Sequence, residues 1–145
     1  MIIIRIGICL LAAFSVFAHG AVEPWSESVL EIGAAALLAL WAILFAGRLV
    51  PAIRWNWLFV PLAGFWTWGT VQYLSGLTAS PFLTRIEWLK WSALIVLFFL
   101  ATQAFASMDQ WRGFVWFLMV LGFLVSVEGI LQHFTFNGKL YWFRE

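Results

Sequence analysis

The sequence predicts an all-α fold, a polytopic membrane bundle of about five transmembrane helices. Three observations predict it. Of 145 residues, 64% are hydrophobic and 10% are charged, against roughly 25% charged in an average soluble domain. The apolar residues gather in five runs with short polar connections between them, and a bilayer-crossing helix needs roughly 20 such residues. Trp25, Trp55, Trp57, Trp88, Trp91, Trp111 and Trp142 stand near the ends of those runs, where indole rings favour the headgroup level.

The predicted spans are 2–18, 28–47, 57–74, 86–107 and 112–132, within a single transmembrane domain over 1–145. The first run carries Arg5 and ends at Ala18-His19-Gly20. It reads as a first span, with a cleaved signal peptide as the alternative. Ser28-Val29-Leu30-Glu31 has the spacing of a capping box and predicts the start of the second helix. The third run tolerates Pro61 in its first turn because neighbouring groups in a membrane satisfy the freed carbonyl. The fourth has two candidate starts, Ser80 before Pro81 and the box Thr84-Arg85-Ile86-Glu87. The turn at Ser107-Met108-Asp109-Gln110 opens the fifth, with Asp109 as its expected cap. Each run is apolar nearly all round, as lipid-facing helices are. Trp41, Trp66, Trp68 and Trp116 fall deeper and are expected to pack.

Charge placement sets the expected orientation. With the N-terminus cytoplasmic, Arg5, Arg48, Arg54 and Arg112 fall inside, and Arg85, Lys90, Lys139 and Arg144 fall outside. That is a tie. The short inner connections each hold arginine, and Glu23, Glu27, Glu31 and Glu87 lean outward against Asp109 alone. The expectation is N-inside with the C-terminal tail extracytoplasmic.

Several function classes find no support. Net charge is +1 with no basic stripe, so nucleic acid is not an expected partner. No phosphate-binding glycine loop, H-E-x-x-H or G-x-S-x-G occurs. The single cysteine, Cys9, lies in an apolar run and reads as a buried packing residue. No cofactor, metal site or catalytic residue is expected.

The polar residues at membrane depth are the candidates for binding. Glu128 stands in the outer part of the fifth run, where a carboxylate is costly and usually faces a bundle interior or wet cavity. Gln132 lies four residues on, placed to share a hydrogen bond with it. His133 follows at the helix end. Arg85 offers a fork of donors that suits phosphate oxygens. Glu128, Gln132, His133 and Arg85 are therefore the expected substrate-binding set. The plain alternative for each is a solvated or snorkelling side chain at the interface. Glu87 is expected to pair with Lys90, and Gln72 and Gln103 to bond between helices. His19, in the first outer connection, is a weaker candidate.

Three stretches bring a family into view. They are His19-Gly20-Ala21-Val22-Glu23-Pro24-Trp25-Ser26, then Pro81-Phe82-Leu83-Thr84-Arg85, and then Gly129-Ile130-Leu131-Gln132-His133 with Asn137-Gly138-Lys139-Leu140-Tyr141-Trp142. Over essentially its whole length the chain resembles the N-terminal part of the O-antigen ligase family, bacterial inner-membrane proteins that include polysaccharide polymerases. The resemblance implies transfer of a glycan from undecaprenyl pyrophosphate to lipid A–core, another glycan or a protein, with no metal and no nucleotide sugar. It implies that transfer depends on arginines and a histidine in a later outer loop. No position here matches that loop, so the expectation is a membrane segment of such an enzyme, inactive alone. Expected partners are the lipid bilayer, an undecaprenyl-pyrophosphate-linked glycan, and the remaining helices of the same enzyme or a membrane oligomer. The alternatives are a small non-enzymatic membrane scaffold or accessory subunit, and a transporter half.

Overall fold

The structure is a computed structural model that describes residues 1–18 and 23–135. Readings that fall on His19 and on the tail from Phe136 onward, including Lys139, Trp142 and Arg144, lie outside the described residues. The described chain is all-helical, with no strand: α1 Ile2–Phe17, α2 Pro24–Ala46, α3 Phe59–Leu74, α4 Pro81–Ala104 and α5 Met108–Phe134. It divides into two compact units, Met1–Ala106 and Ser107–Glu145.

The helix starts correct the expected caps. α2 begins at Pro24, with Glu23 as N-cap, one turn before Ser28. Proline fits the first helical position because its missing N–H needs no partner there. Ser28 lies inside the helix, and its hydroxyl donates back to Pro24 O at 2.8 Å. α4 starts at the earlier of its two candidates, after Ser80 with Pro81 at N1, although the Ser80 hydroxyl makes no cap bond. Thr84 is interior and donates to Ser80 O. α5 is capped by Ser107 and not by Asp109. Ser107 Oγ accepts from Gln110 N, and Gln110 Oε1 accepts from Ser107 N, a reciprocal box that leaves Asp109 in the first turn. Glutamine closes this box as well as glutamate does, and that is why Asp109 misleads.

α2 ends in a Schellman motif. Arg48 N donates to Phe45 O and Leu49 N to Leu44 O. Arg48 itself takes the left-handed conformation, φ 56°, where glycine is the unstrained residue. After α3, Gly76 fills the equivalent place at φ 68°.

In the first unit α4 touches α1, α2 and α3, and α1 also packs on α2. Contacts fix the directions. Gly7 on α1 lies against Leu37, and Gly33 on α2 lies against Leu11, so α1 and α2 are antiparallel. The exchange is reciprocal: each glycine admits a leucine of the other helix. Phe59 meets Phe99, and Trp66 donates to Ser92 at 2.8 Å, so α3 and α4 are antiparallel. Glu27 pairs with Lys90, and Trp41 meets Phe99 edge-on at 4.9 Å, so α2 and α4 are parallel. The unit therefore runs up, down, up, down.

Its interior is small. Ile4, Ala34, Leu100 and Ala104 are buried with Trp41. Most other large apolar side chains face outward. Of the tryptophans expected to pack, only Trp41 is buried; Trp66 bonds to Ser92 but is 38% exposed, and Trp68 and Trp116 are exposed.

Two helices, α2 and α5, are long and apolar enough to cross a membrane. Within their most apolar windows only 11% and 6% of residues are buried, and the core helix of a soluble protein is mostly buried. α1 and α3, with 16 residues each, reach about 24 Å at about 1.5 Å per residue, short of a hydrocarbon core of roughly 30 Å. α4 has 24 residues but carries Arg85, Glu87 and Lys90 in its first half.

Candidate functional site

The parallel course of α2 and α4 sets their first turns side by side. Glu27 stands in the first turn of α2, where the positive end of the helix dipole favours a carboxylate, and Glu31 follows one turn later. Arg85, Glu87 and Lys90 follow the start of α4. Lys90 Nζ donates to Glu87 Oε1 at 2.7 Å, the i,i+3 pair that was expected. It also reaches Glu27 Oε1 at 3.5 Å, across the helices. Glu27 is the more enclosed partner, with 16% of its side chain exposed.

Beside this triad lies a groove of about 260 Å³ between α2 and α4. Glu27, Glu31 and Arg85 supply its charge, and Phe82 and Leu89 supply apolar walls. Arg85 is exposed and, among the described residues, makes neither a hydrogen bond nor an ion pair. Its guanidinium is thus available to a ligand, but two carboxylates border the same space. That balance suits a zwitterion or a cation better than a bare polyanion.

Glu128, Gln132 and His133 sit in the last two turns of α5, in the second unit, whereas Arg85 belongs to the first. Glu128 is half-buried, and its Oε1 is enclosed without a hydrogen-bond partner. The bond expected with Gln132 is therefore not made by that atom, although the two residues do share a face. His133 is exposed at the helix end, edge-on to Phe134 at 5.5 Å. Among the described residues no three His, Cys, Asp or Glu side chains converge as metal ligands do. The other large clefts of the first unit are apolar: about 330 Å³ between α3 and α4, and about 440 Å³ bordered by Leu38, Phe59, Trp66 and Phe99.

The opposite end of the first unit is built from residues that sequence reasoning did not join. Arg5 Nε donates to Ala104 O at 2.9 Å. Arg54 Nη1 donates to Ala106 O at 2.9 Å. Arg5 thus meets the carbonyl end of α4, where the helix dipole favours cations, and Arg54 meets the turn just beyond it. Gln103, expected to bond between helices, instead grips the connection after α2. Its Oε1 accepts from Arg54 N at 2.8 Å, and its Nε2 donates to Arg54 O at 3.1 Å. The separations in sequence are 99 and 49 residues, and no local pattern encodes them.

With this geometry in view, comparison with protein-family models, curated proteins and solved structures finds no match for the chain.

Proposed function

We propose that this chain is a multispanning α-helical protein of a bacterial inner membrane, with five spans and a cytoplasmic N-terminus. The observation that carries the reading is the separation of charge in the first unit. Three of its four arginines, Arg5, Arg48 and Arg54, stand at one end, and its four carboxylates, Glu23, Glu27, Glu31 and Glu87, stand at the other together with Arg85 and Lys90. Between the two ends the helices turn large apolar side chains outward. Soluble monomers rarely expose a contiguous apolar patch beyond a few hundred Å². An arginine-bearing end fits the cytoplasmic face. The 16-residue helices α1 and α3 span in this reading by local thinning of the bilayer and by anchoring their flanks at the interface.

The function follows from the family resemblance. We assign the chain the role of the N-terminal membrane segment of an O-antigen ligase-like protein, which moves a glycan from undecaprenyl pyrophosphate to an acceptor in cell-surface polysaccharide assembly. In that role its helices hold the carrier lipid and position the enzyme, and they do not perform the transfer. Glu128, Gln132, His133 and Arg85 remain the proposed substrate contacts. A second reading, a non-enzymatic membrane scaffold, draws support from the groove beside Arg85, since Glu27 and Glu31 would repel a pyrophosphate.

Reporter fusions that are active only outside the cytoplasm test the topology. Activity is expected after Leu77 and not after Ala52; the reverse pattern would refute both the orientation and the family assignment. An assay with a lipid-linked glycan tests the role. The chain alone should give no transfer, and turnover lost in Arg85→Gln or His133→Ala would show that it is itself the enzyme. Carrier lipid that crosslinks no better to this chain than to an unrelated membrane protein would favour the scaffold.

A further inference from the structure

We infer that the arginine end of the first unit is a binding site for the phosphate of an anionic lipid headgroup, formed by Arg5, Arg48 and Arg54; this rests on the membrane reading above. Four features lead there.

First, no carboxylate of the unit stands at the end that holds these arginines. Every carboxylate of residues 1–106 belongs to the opposite end of the unit. Arg5 and Arg54 are anchored on carbonyls only two residues apart, Ala104 O and Ala106 O. Each anchor uses one N–H, and a guanidinium has five. Donors therefore remain on both forks, and paired guanidiniums match phosphate oxygens in geometry and charge.

Second, the backbone that carries Arg54 is fixed from behind. Gln103 is 4% exposed and satisfies both the N–H and the C=O of Arg54. A buried amide spent in this way makes the connection a rigid platform, with its charged side chain directed outward.

Third, Arg48 occupies a strained position. At φ 56° a glycine would be at ease, and Gly47 stands next to it unused for that purpose. The side chain of Arg48 is exposed and forms no bond among the described residues. Non-glycine residues held in this region occur at ligand clamps, where the side chain is needed in that place.

Fourth, the neighbours are those of a headgroup site. Trp55 and Trp57 are 68% and 80% exposed in the same connection, with Leu49 and Ile53 also outward. Indole rings at headgroup depth and aliphatic side chains toward the acyl region frame a lipid better than a free anion in water.

The test uses the full chain reconstituted into vesicles of phosphatidylcholine, alone or mixed with phosphatidylglycerol. Flotation is read first, and lipids retained after extraction are then read by native mass spectrometry. The inserted protein should retain phosphatidylglycerol over phosphatidylcholine. Arg54→Gln and Arg48→Gly should each weaken that preference about fivefold, the change that one basic residue near a charged surface brings. High salt should weaken it too, as the screening length falls from about 10 Å at 0.1 M to about 3 Å at 1 M. Arg48→Gly also relieves backbone strain, so it should unfold at a higher temperature while binding worse; a purely structural arginine would not couple the two. Added inorganic phosphate separates the sources. Displacement of the lipid assigns the site to phosphate of any origin, and no displacement assigns it to the headgroup with its chains. Equal retention of the two lipids by floating protein, or unchanged preference in both variants, would overturn the inference. Failure to float with either vesicle would instead overturn the membrane reading.

Discussion

The side chain of Gln103 closes a two-point hydrogen bond with the backbone of Arg54, accepting at 2.8 Å and donating at 3.1 Å. It ties the last turn of α4 to the connection after α2, 49 residues away, and so fixes how that connection crosses the end of the unit.

Replacing Gln103 by Leu keeps the volume and removes both partners of the Arg54 peptide groups. A buried polar group left unpaired costs about 1–3 kcal/mol, and bonds inside membrane proteins fall toward the lower end. Thermal unfolding in a neutral detergent should show a clear loss for Gln103→Leu. An unchanged transition would mean that water satisfies Arg54 unaided.

The contact of Gly7 with Leu37 is a close one. A Cβ at Gly7 would lie 2.5 Å from Leu37 Cδ2. Gly7→Val should destabilise the α1–α2 pair by about 1–3 kcal/mol, the usual cost of overpacking. Because the obstacle is a flexible side-chain tip, Leu37→Ala should restore much of the loss in the double variant. Simple addition of the two single effects would show that the residues do not oppose each other.

Ser107 and Asp109 are separated by their roles at the start of α5. Ser107→Ala removes the reciprocal box and should cost about 1 kcal/mol. Asp109→Ala removes only a favourable charge and an Arg112 contact at 4.0 Å between exposed groups, so its effect should be smaller. Helix content followed against temperature by circular dichroism discriminates the two, and a larger loss in Asp109→Ala would contradict the cap.

Lys90 joins α4 to α2 through Glu27. Both groups are partly exposed, so the pair contributes within about 1 kcal/mol. Lys90→Met should lower the unfolding temperature modestly. Adding Glu27→Gln should bring it back, since the carboxylate left beside Glu31 is then neutral. No recovery in the double variant would locate the effect in Glu87 alone.

Much of the fold was legible in the residues themselves. Five apolar runs with polar connections give five helices, because a run of large apolar side chains without breakers propagates until Gly47, Gly76 or a proline start interrupts it. The caps were less legible. Serine at Ser28, Ser80 and Ser107 has the same local chemistry in each case, but only at Ser107 do the side chain and its N3 partner close on each other. Of the proposed substrate contacts, the sequence could name Arg85, Glu128, Gln132 and His133 by residue type and depth. It could not reveal that Glu27 and Glu31 share the groove of Arg85, nor that Glu128 Oε1 lacks a partner.

By itself, then, the sequence determined an apolar, all-helical chain of five segments with aromatic residues near their ends, because burial of the backbone's own hydrogen bonds leaves such a composition little else to form. Tertiary structure decided the rest. The parallel packing of α2 on α4 gathers the carboxylates with Lys90, and Gln103 together with the carbonyls of Ala104 and Ala106 gathers Arg5 and Arg54. Those arrangements depend on contacts between residues tens of positions apart, and hydrophobic periodicity carries no information about which helix meets which.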